Sequence, residues 1–278
     1  MADAPKSAWS ASYRLIAAEK WKAKSAAMGK PVTQALVEYA DPQPGMKVLD
    51  LASGTGEPAI SVASRVGAQG HVVALDLSAE LLEIANQRAS APQLTNFETR
   101  QADVHDLPFA ADTFDLVTCR FGVMFFADTQ RSLSETLRVL KAVGRACFLA
   151  WGSFEQPYWQ SSMAVVHKHV GGPLMDPGGA DMFRFAEPGS LSMALASAGF
   201  EHIQEETRTL PWTWPGSPEE AWEYVQAVSS PFRPMLERVP EERWDQINGE
   251  IHAEMRKLMD GDQVNFGVRV ILASGMKP

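Results

Sequence analysis

Cysteine and long apolar segments are both scarce in this sequence of 278 residues. The two cysteines, Cys119 and Cys147, lie inside short apolar runs, a setting that favours buried thiols over a disulfide framework. No uninterrupted apolar run approaches the roughly 20 residues that a helix needs to cross a bilayer. Residues 1–6 also lack the charged and then apolar pattern of a signal peptide. We therefore expect a cytoplasmic protein with no membrane span.

Positive charge is scarce as well, since 34 acidic residues outnumber 25 lysines and arginines and give a net charge of −9. No cluster of lysine and arginine offers the basic face on which nucleic-acid binding depends, so DNA and RNA are not expected partners. No CxxC, HxxxH or carboxylate-rich loop is present, and no metal site is predicted. What remains is an ordinary globular composition, with 45% hydrophobic and 21% charged residues.

Short apolar runs alternate with helical stretches through the first half of the chain. We predict strands at Met46–Ala52, His71–Leu77, Phe97–Gln101, Phe114–Arg120 and Arg145–Trp151. Apolar residues spaced about 3.6 positions apart predict the helices between them, at Pro58–Val66, Ala79–Arg88 and Thr129–Leu140. This alternation predicts an α/β fold with right-handed crossovers and a mainly parallel sheet that is covered on both faces.

The flanking regions carry further elements. A helical segment is predicted at Ser10–Tyr39, ahead of the first strand. In the later third we predict helices at Pro188–Ala198, Ser217–Gln226 and Glu241–Met259 and strands at Glu201–Trp212 and Val264–Ala273. The segments 153–187 and 215–262 are rich in aromatic residues, and we expect them to be additions to one compact core rather than an independent domain.

The stretch 48–58 is the most informative part of the sequence. A predicted strand ends near Ala52, two glycines follow at Gly54 and Gly56, and a helix opens beside Pro58. Glycines let the backbone turn tightly and approach a ligand, because no Cβ is in the way. Backbone amides and the positive end of the helix dipole then face the ligand and favour a carboxylate or a phosphate.

This loop alone leaves more than one function open. Residues 54–59 also match the GxGxxG/A fingerprint of dinucleotide-binding folds, and Asp76 follows Gly56 by 20 residues, where that fingerprint places a ribose-binding acid. An NAD-dependent oxidoreductase is therefore one hypothesis. A tight turn without a ligand is another, although two glycines, a helix start and a spaced acid seldom coincide in a purely structural turn.

Three further positions distinguish the hypotheses. Asp50 lies in an otherwise apolar strand, and burying a carboxylate is costly unless it is hydrogen-bonded. We therefore expect Asp50 to accept hydrogen bonds from nearby groups. Asp103 directly follows the third strand, where a carboxylate can accept from an adenine amino group while the next backbone N–H donates to the ring. Arg120 ends the fourth strand, at the sheet edge where open α/β folds bind ligands. Together they favour a methyltransferase that uses S-adenosylmethionine.

With these motifs the chain resembles the class I S-adenosylmethionine-dependent methyltransferases, particularly the C-methyltransferases of ubiquinone and menaquinone synthesis. The resemblance is close from Val32 to Phe200 and looser in the final strand. It implies a Rossmann-like, mainly parallel sheet of seven strands whose last strand, for which Val264–Ala273 is the candidate, is antiparallel. The implied organisation is a single methyltransferase domain over 1–278 with a helical N-terminal cap (1–41), a cofactor-binding core (42–152), helical substrate-lid segments (153–187 and 215–262) and segments that complete the sheet (188–214 and 263–278).

The resemblance also implies a role for each residue near the loop. Ser53, Gly54 and Gly56 would approach the methionine part of the cofactor, and Asp50 would support the loop. Ala52 stands where many relatives have the first glycine, although quinone-type relatives also carry alanine there. A second departure is the segment 141–144, Lys-Ala-Val-Gly, which replaces the usual Pro-Gly-Gly turn before the fifth strand.

At the adenosine end, the resemblance implies that Asp76 holds the ribose hydroxyls and that Leu77 packs on the adenine. Asp103 and Val104 would read the edge of the adenine ring. Each acid has a simpler alternative role, since an acid at a strand end is also a common cap or turn residue.

The remaining predicted contacts are Arg120 and Phe121, at the position that usually touches the methionine moiety or the reacting centre, and Tyr13, which could reach over the cofactor carboxylate. An arginine at a strand end can instead form an ion pair, and a helical tyrosine is more often a core residue. No general base is evident among the six histidines. The candidates for a catalytic group are Arg120 and His167, and the catalytic residue is otherwise unspecified.

The predicted reaction is in-line attack of a small-molecule acceptor, aromatic or apolar, on the methyl group of S-adenosylmethionine. Alignment alone can contribute roughly 7–11 kcal/mol to such a step. A non-catalytic S-adenosylmethionine-binding protein is a further alternative. The identity of the acceptor and the oligomeric state do not follow from fold and cofactor.

Overall fold

The computed structural model describes residues 20–91 and 93–278. Its strands are β1 (Lys47–Leu51), β2 (His71–Asp76), β3 (Phe97–Gln101), β4 (Phe114–Arg120), β5 (Leu140–Trp151), β6 (Glu201–Leu210), β7 (Thr213–Trp214), β8 (Met259–Asp260), β9 (Gln263–Asn265) and β10 (Val268–Met276). Its helices are α1 (Lys22–Ala40), α2 (Ala59–Val66), α3 (Ala79–Ser90), α4 (Thr129–Val139), α5 (Pro157–Gln160), α6 (Met163–Val170), α7 (Ser190–Ser197), α8 (Pro218–Val228), α9 (Arg233–Leu236) and α10 (Trp244–Arg256).

Within the described residues the chain forms two compact units. The sheet unit comprises residues 30–153, 182–210 and 269–278. The second unit comprises the described residues up to Gly29 together with 154–181 and 211–268. The predicted cofactor-binding core, 42–152, belongs to the sheet unit, whereas the predicted lid segments contribute most of the second unit.

In the sheet unit, seven strands of the described chain form one sheet in the order β3-β2-β1-β4-β5-β10-β6. The pairs β3–β2, β2–β1, β1–β4 and β4–β5 are parallel, and β10 is antiparallel to β5. The prediction of a mainly parallel, Rossmann-like sheet with an antiparallel last strand is confirmed. The last strand covers Val268–Met276 rather than Val264–Ala273, because residues 263–265 pair in a different sheet.

The sequence explains why the central strands lie inside. In β1, residues Val48 to Leu51 are buried, and β4 and β5 are buried over most of their length, as expected for parallel strands covered on both faces. Helices α3 and α4 begin where a polar side chain caps them. Ser78 accepts from the Leu81 N–H, and Asp128 accepts from the Arg131 N–H.

Strand β5 begins earlier than predicted. Leu140 already pairs with Phe114, and the next ladder pair is Arg145 with Leu116, so residues 141–144 bulge from the strand opposite a single residue. At the bulge Val143 adopts φ +57°, and its N–H donates to the Lys277 carbonyl. The segment that replaces the Pro-Gly-Gly turn is therefore held as a bulge of the sheet.

The second unit has its own small sheet and core. Three short strands of residues 211–268 pair antiparallel in the order β7-β9-β8. Trp214, Trp222 and Met255 are buried, and the Trp222 indole N–H donates to Asn248 Oδ1 over 2.8 Å. Here the aromatic residues pack the unit, as expected if their role is structural. That residues 153–187 and 215–262 cover a substrate stays a prediction.

Candidate active site

The glycine loop lies between the carboxyl end of β1 and the start of α2. Ala52, Gly54 and Gly56 all have positive φ, at +52°, +53° and +105°. The Ser53 N–H donates to the Leu75 carbonyl at the end of β2 over 2.9 Å, and the Gly56 N–H donates to the Ser53 carbonyl over 2.9 Å. The turn is therefore tight and is attached to the neighbouring strand.

The two glycines of the loop serve different ends. A Cβ on Gly54 would meet no heavy atom within 4 Å, so the backbone there faces open space that a ligand can enter. A Cβ on Gly56 would lie 2.7 Å from Ile60 Cδ1 and 3.2 Å from Ala85 Cβ. Gly56 is thus required by the close packing of the loop against α2 and α3.

Asp50 lies beneath the loop and is fully buried. Its Oδ2 accepts from the Ser53 hydroxyl over 2.6 Å, and its Oδ1 accepts from the Thr118 hydroxyl of β4 over 2.7 Å. Burial raises the pKa of Asp50 to about 7, although the two hydroxyl groups and the nearby positive charge of Arg120 act to lower it. The predicted support of the loop by Asp50 thus has a geometric basis in these two bonds.

Asp76 joins the loop to the following helix. Its Oδ2 accepts from the Gly54 N–H over 2.8 Å, and its Oδ1 accepts from the Ser78 N–H over 3.0 Å. The next residue, Leu77, leaves 55% of its surface exposed at the carboxyl edge of the sheet. An acid beside an exposed leucine offers a hydrogen-bond acceptor and an apolar face within two residues.

Asp103 follows β3 and is anchored through a single oxygen. Its Oδ1 accepts from the His105 N–H over 2.9 Å and contacts His105 Nδ1 over 2.5 Å, whereas Oδ2 takes part in neither contact. Partial burial acts to raise the pKa of Asp103, but the bonds from His105 outweigh it and the pKa lies below its ordinary value. Val104 beside it is buried, so its side chain packs inward and only its backbone can serve a ligand.

The carboxyl end of β4 carries Arg120 and Phe121. Arg120 Nη1 donates to the Thr33 hydroxyl of α1 over 2.5 Å, which places the guanidinium between that helix and the strand. Phe121 has φ +58° and stacks on Trp151 at the end of β5, with ring centroids 4.3 Å apart. The side chain of Arg120 therefore has a structural partner in addition to its predicted ligand.

The next residue, Gly122, explains why alanine is accepted at position 52. A Cβ on Gly122 would lie 2.6 Å from Ala52 Cβ and 2.8 Å from Cys119 Sγ. The methyl group of Ala52 therefore occupies space that the missing side chain of Gly122 provides. Cys119 and Cys147 are both free, buried thiols, as predicted, and burial raises the pKa of Cys147 to about 12.

The sequence pattern missed several residues that shape this edge of the sheet. Arg88 Nη1 donates to both the carbonyl and the hydroxyl of Thr55 over 2.9 Å and so holds the tip of the glycine loop from α3. The sequence pattern also missed Thr118, which donates to Asp50, and His105, which donates to Asp103. His105 is largely covered, with only 18% of its side chain exposed.

Two further residues were predicted at the site, His167 and Tyr13. His167 belongs to the second unit, where its Nε2 contacts the Gly172 carbonyl over 2.8 Å at the end of α6. Tyr13 lies outside the described residues. In the part of the chain that the structure describes, no group of three or more histidine, cysteine, aspartate and glutamate side chains is placed to hold a metal ion. None of the helices within 20–91 and 93–278 is long and apolar enough to span a bilayer.

The arrangement gathers backbone amides, acceptor oxygens and an apolar face along the carboxyl ends of β1, β2, β3 and β4. Such a set suits an elongated ligand with an anionic end and a nucleoside end. The strand order, with antiparallel β10 between β5 and β6, differs from the order 3-2-1-4-5-6 of dinucleotide-binding folds. The hypothesis of an NAD-dependent oxidoreductase therefore has no support in the fold.

Comparison with known proteins identifies methyltransferases by both sequence and family model. The model of the ubiE/COQ5 methyltransferase family matches residues 26–175, a little more than half of the chain. A 2-phytyl-1,4-naphtoquinone methyltransferase of Trichormus variabilis is 42% identical over 145 residues, which are 49% of this chain and 63% of the relative. A protein of the same name from Thermosynechococcus vestitus is 34% identical over 181 residues, which are 62% of this chain and 79% of the relative.

Among solved structures, phosphoethanolamine N-methyltransferase 2 of Haemonchus contortus in complex with S-adenosyl-L-methionine is similar in fold. Its TM-score is 0.56 at 16% identity, covering 96% of this chain and 60% of that chain. The match to several curated relatives spans only 45% to 63% of their own length. With its family model, its 34% identity over most of a relative, and its fold, the chain belongs to the ubiE/COQ5 methyltransferase family.

Proposed function

We propose that the sheet unit binds S-adenosylmethionine along its carboxyl edge and that the protein transfers the methyl group to a small molecule of the quinone type. One observation carries the proposal. The open backbone at Gly54 is bonded directly to the carboxylate of Asp76, so the loop for the methionine end and the acid for the nucleoside end form one continuous surface. Membership of the methyltransferase family supports the same cofactor.

The residues that would hold the methionine end are those of the glycine loop. Open space at Gly54 admits a ligand close to the backbone, and the start of α2 favours its carboxylate. Asp50 keeps the shape of the loop through Ser53, and Arg88 keeps its tip through Thr55. These bonds fix the loop before a ligand arrives, which lowers the entropic cost of binding.

The adenosine end has its own set of residues. Each oxygen of Asp76 uses one lone pair on the fold and keeps another for a ribose hydroxyl. Leu77 offers an exposed apolar side chain to the face of the adenine. Asp103 Oδ2 would accept from the adenine amino group, and the Val104 N–H would donate to the ring. The roles of these residues are thus separable by mutation.

When bound, S-adenosylmethionine supplies a methyl group on a sulfonium, which is an activated leaving group. The chain's own task is then to align the acceptor and to exclude water, a contribution that can reach roughly 7–11 kcal/mol. Arg120 and Phe121 lie at the carboxyl end of β4, beside the switch point between β1 and β4 where open sheets bind their ligands. We place the reacting centre beside them.

The acceptor class follows from the relatives. The proteins from Trichormus variabilis and Thermosynechococcus vestitus are named as methyltransferases of a substituted naphthoquinone, so a flat apolar ring is the acceptor we propose here. A cytoplasmic location is part of the same proposal, because the two cysteines are buried free thiols.

Calorimetric titration with S-adenosylhomocysteine and, separately, with NADH tests the cofactor. We expect the first ligand to bind and the second not to bind. Asp76→Asn should weaken S-adenosylhomocysteine binding about tenfold, because the amide accepts at only one of its two positions. The matched control is Asp112→Asn, which removes an exposed ion pair with Lys277 elsewhere in the sheet unit and should leave the affinity unchanged. Binding of NADH alone would reject the proposal.

Methyl transfer itself is tested with isotopically labelled S-adenosylmethionine and a panel of demethylated naphthoquinones and benzoquinones kept in their reduced quinol form, because an electron-rich ring carbon must attack the methyl group, displace S-adenosylhomocysteine and release its proton. We expect label in at least one methylated product, formed about tenfold more slowly by Asp76→Asn at cofactor concentrations below its weakened dissociation constant. Cofactor binding without a labelled product from any quinone would leave the cofactor site standing and contradict the acceptor class.

A further inference from the structure

We propose that His105 is a positioning residue, which orients the carboxylate of Asp103 for recognition of the adenine amino group. This inference rests on the proposed function, since it concerns a residue that contacts Asp103 at the nucleoside end of that site and not the ligand itself. The sequence gives His105 no role, and its place only becomes clear from the contacts of its ring.

The imidazole of His105 is bonded at both nitrogens. Nδ1 lies 2.5 Å from Asp103 Oδ1, and Nε2 accepts from the Asp128 N–H over 3.1 Å. Because a backbone N–H can only donate, Nε2 carries the lone pair and Nδ1 carries the proton that Asp103 accepts. The ring therefore has one tautomer and one orientation. The bond from Nδ1 in turn fixes the orientation of the Asp103 carboxylate.

The surroundings of the ring fix it further. The His105 carbonyl accepts from Arg131 Nε over 2.8 Å, and the imidazole and the Phe126 ring pack edge to face with centroids 6.4 Å apart. Asp128 also caps α4 through its own side chain, which accepts from the Arg131 N–H over 2.9 Å. His105 thus bonds the loop after β3 to the start of α4 through both its ring and its carbonyl.

The two carboxylate oxygens of Asp103 therefore have different hydrogen-bonding roles. Oδ1 is held by the N–H and the Nδ1 of His105, so the carboxylate cannot rotate freely, and Oδ2 is left for a ligand. An acceptor that is already oriented loses less conformational entropy when a ligand donates to it. Without the ring, the carboxylate would keep only its hydrogen bond from the backbone N–H of residue 105.

The discriminating experiment is a double-mutant cycle between positions 105 and 103, measured by calorimetry with two probes. The probes are S-adenosylhomocysteine and its deaminated analogue S-inosylhomocysteine, which lacks the amino group that Asp103 would accept from. The variants are His105→Ala, Asp103→Ala and the double variant. The matched control is His71→Ala, which removes an imidazole paired with Glu98 at the opposite end of the strands.

We expect His105→Ala to weaken S-adenosylhomocysteine binding about five- to tenfold, as for a loosened bond to a charged group, and to change binding of the inosyl analogue less than twofold. In the Asp103→Ala background the same substitution should have no further effect. His105→Asn should recover part of the affinity, because its amide N–H lies near the position of Nδ1. His71→Ala should behave as the unmodified protein.

An equal loss of affinity for both probes, or a loss of affinity that persists in the Asp103→Ala background, would overturn the inference. His105 would then stabilise the loop as a whole rather than orient Asp103. If His105→Ala is unfolded by circular dichroism, the same comparison is made with His105→Asn, for which a selective loss toward the adenosyl probe supports the inference and an equal loss refutes it. Failure of the unmodified protein to bind S-adenosylhomocysteine instead contradicts the proposed function, so the two failures are distinguishable.

Discussion

Replacing Asp50 by asparagine tests how the buried carboxylate beneath the glycine loop contributes to stability. The substitution preserves volume and removes the charge. The Thr118 hydroxyl, which now donates to Oδ1, can donate to the introduced amide oxygen. The Ser53 hydroxyl lies 2.9 Å from the Asp50 carbonyl, so it can donate there and accept from the introduced amide N–H. We therefore expect no hydrogen bond to be lost.

The magnitude follows from the pKa. Burial raises the pKa of Asp50 from its ordinary value of 3.8 to about 7, so between these values the folded protein binds a proton that the unfolded chain has released. Stability contributed by this group therefore falls as pH rises from about 4 to about 7. At about 1.4 kcal/mol for each pH unit, the unmodified protein should lose about 2 kcal/mol between pH 5.5 and pH 8 that Asp50→Asn does not lose.

The assay is urea unfolding of both proteins at pH 5.5 and pH 8, followed by far-UV circular dichroism. Other titrating groups are shared by the two proteins, so the difference between their pH dependences isolates Asp50. We expect Asp50→Asn to be the more stable protein at pH 8, with a smaller advantage at pH 5.5. An advantage that grows toward low pH, or a variant destabilised at pH 8, would refute the reasoning about the buried charge.

Two further substitutions test the backbone. Val143→Gly should stabilise the protein by about 1 kcal/mol in thermal unfolding, because Val143 holds φ +57° with 72% of its surface exposed, whereas Val143→Ala keeps the strain and should not. Gly122→Ala should cost about 1–3 kcal/mol and weaken S-adenosylhomocysteine binding, since its methyl group would lie 2.6 Å from Ala52 Cβ. Gly249→Ala, in the exposed interior of α10 with no atom within 4 Å, is the control and should be neutral or stabilising; equal losses for both glycines would contradict the packing argument.

The sequence predicts the parallel part of the sheet well because its signals are local. Strands Phe97–Gln101 and Phe114–Arg120 have the predicted bounds, and α2 begins one residue after Pro58. The start of β5 was missed, since a valine with positive φ has no signal of its own. The small sheet of β7, β8 and β9 was missed because strands of two or three residues are too short to show a period.

The candidate site is predictable only where it follows the chain. Gly54, Gly56 and Asp76 are found from spacing, because a strand, a turn and a helix succeed one another in sequence. The partners of these residues come from distant segments, as Thr118 lies 68 positions from Asp50 and Arg88 lies 33 from Thr55. Nothing local marks such pairs, and for that reason His105 and its bond to the Asp128 N–H were also missed.

The contrast between Asp76 and its neighbour Leu77 bears on how cofactor preference can change in this family. Asp76, the proposed ribose acceptor, also accepts from the Gly54 and Ser78 N–H groups, so most substitutions there would loosen the loop and the start of α3 as well as the proposed sugar contact. Leu77 has little burial to lose, and its side chain can be exchanged for a smaller or larger one at almost no expense in stability. With the adenine against Leu77 as proposed, engineered acceptance of enlarged adenine analogues should therefore begin at this residue.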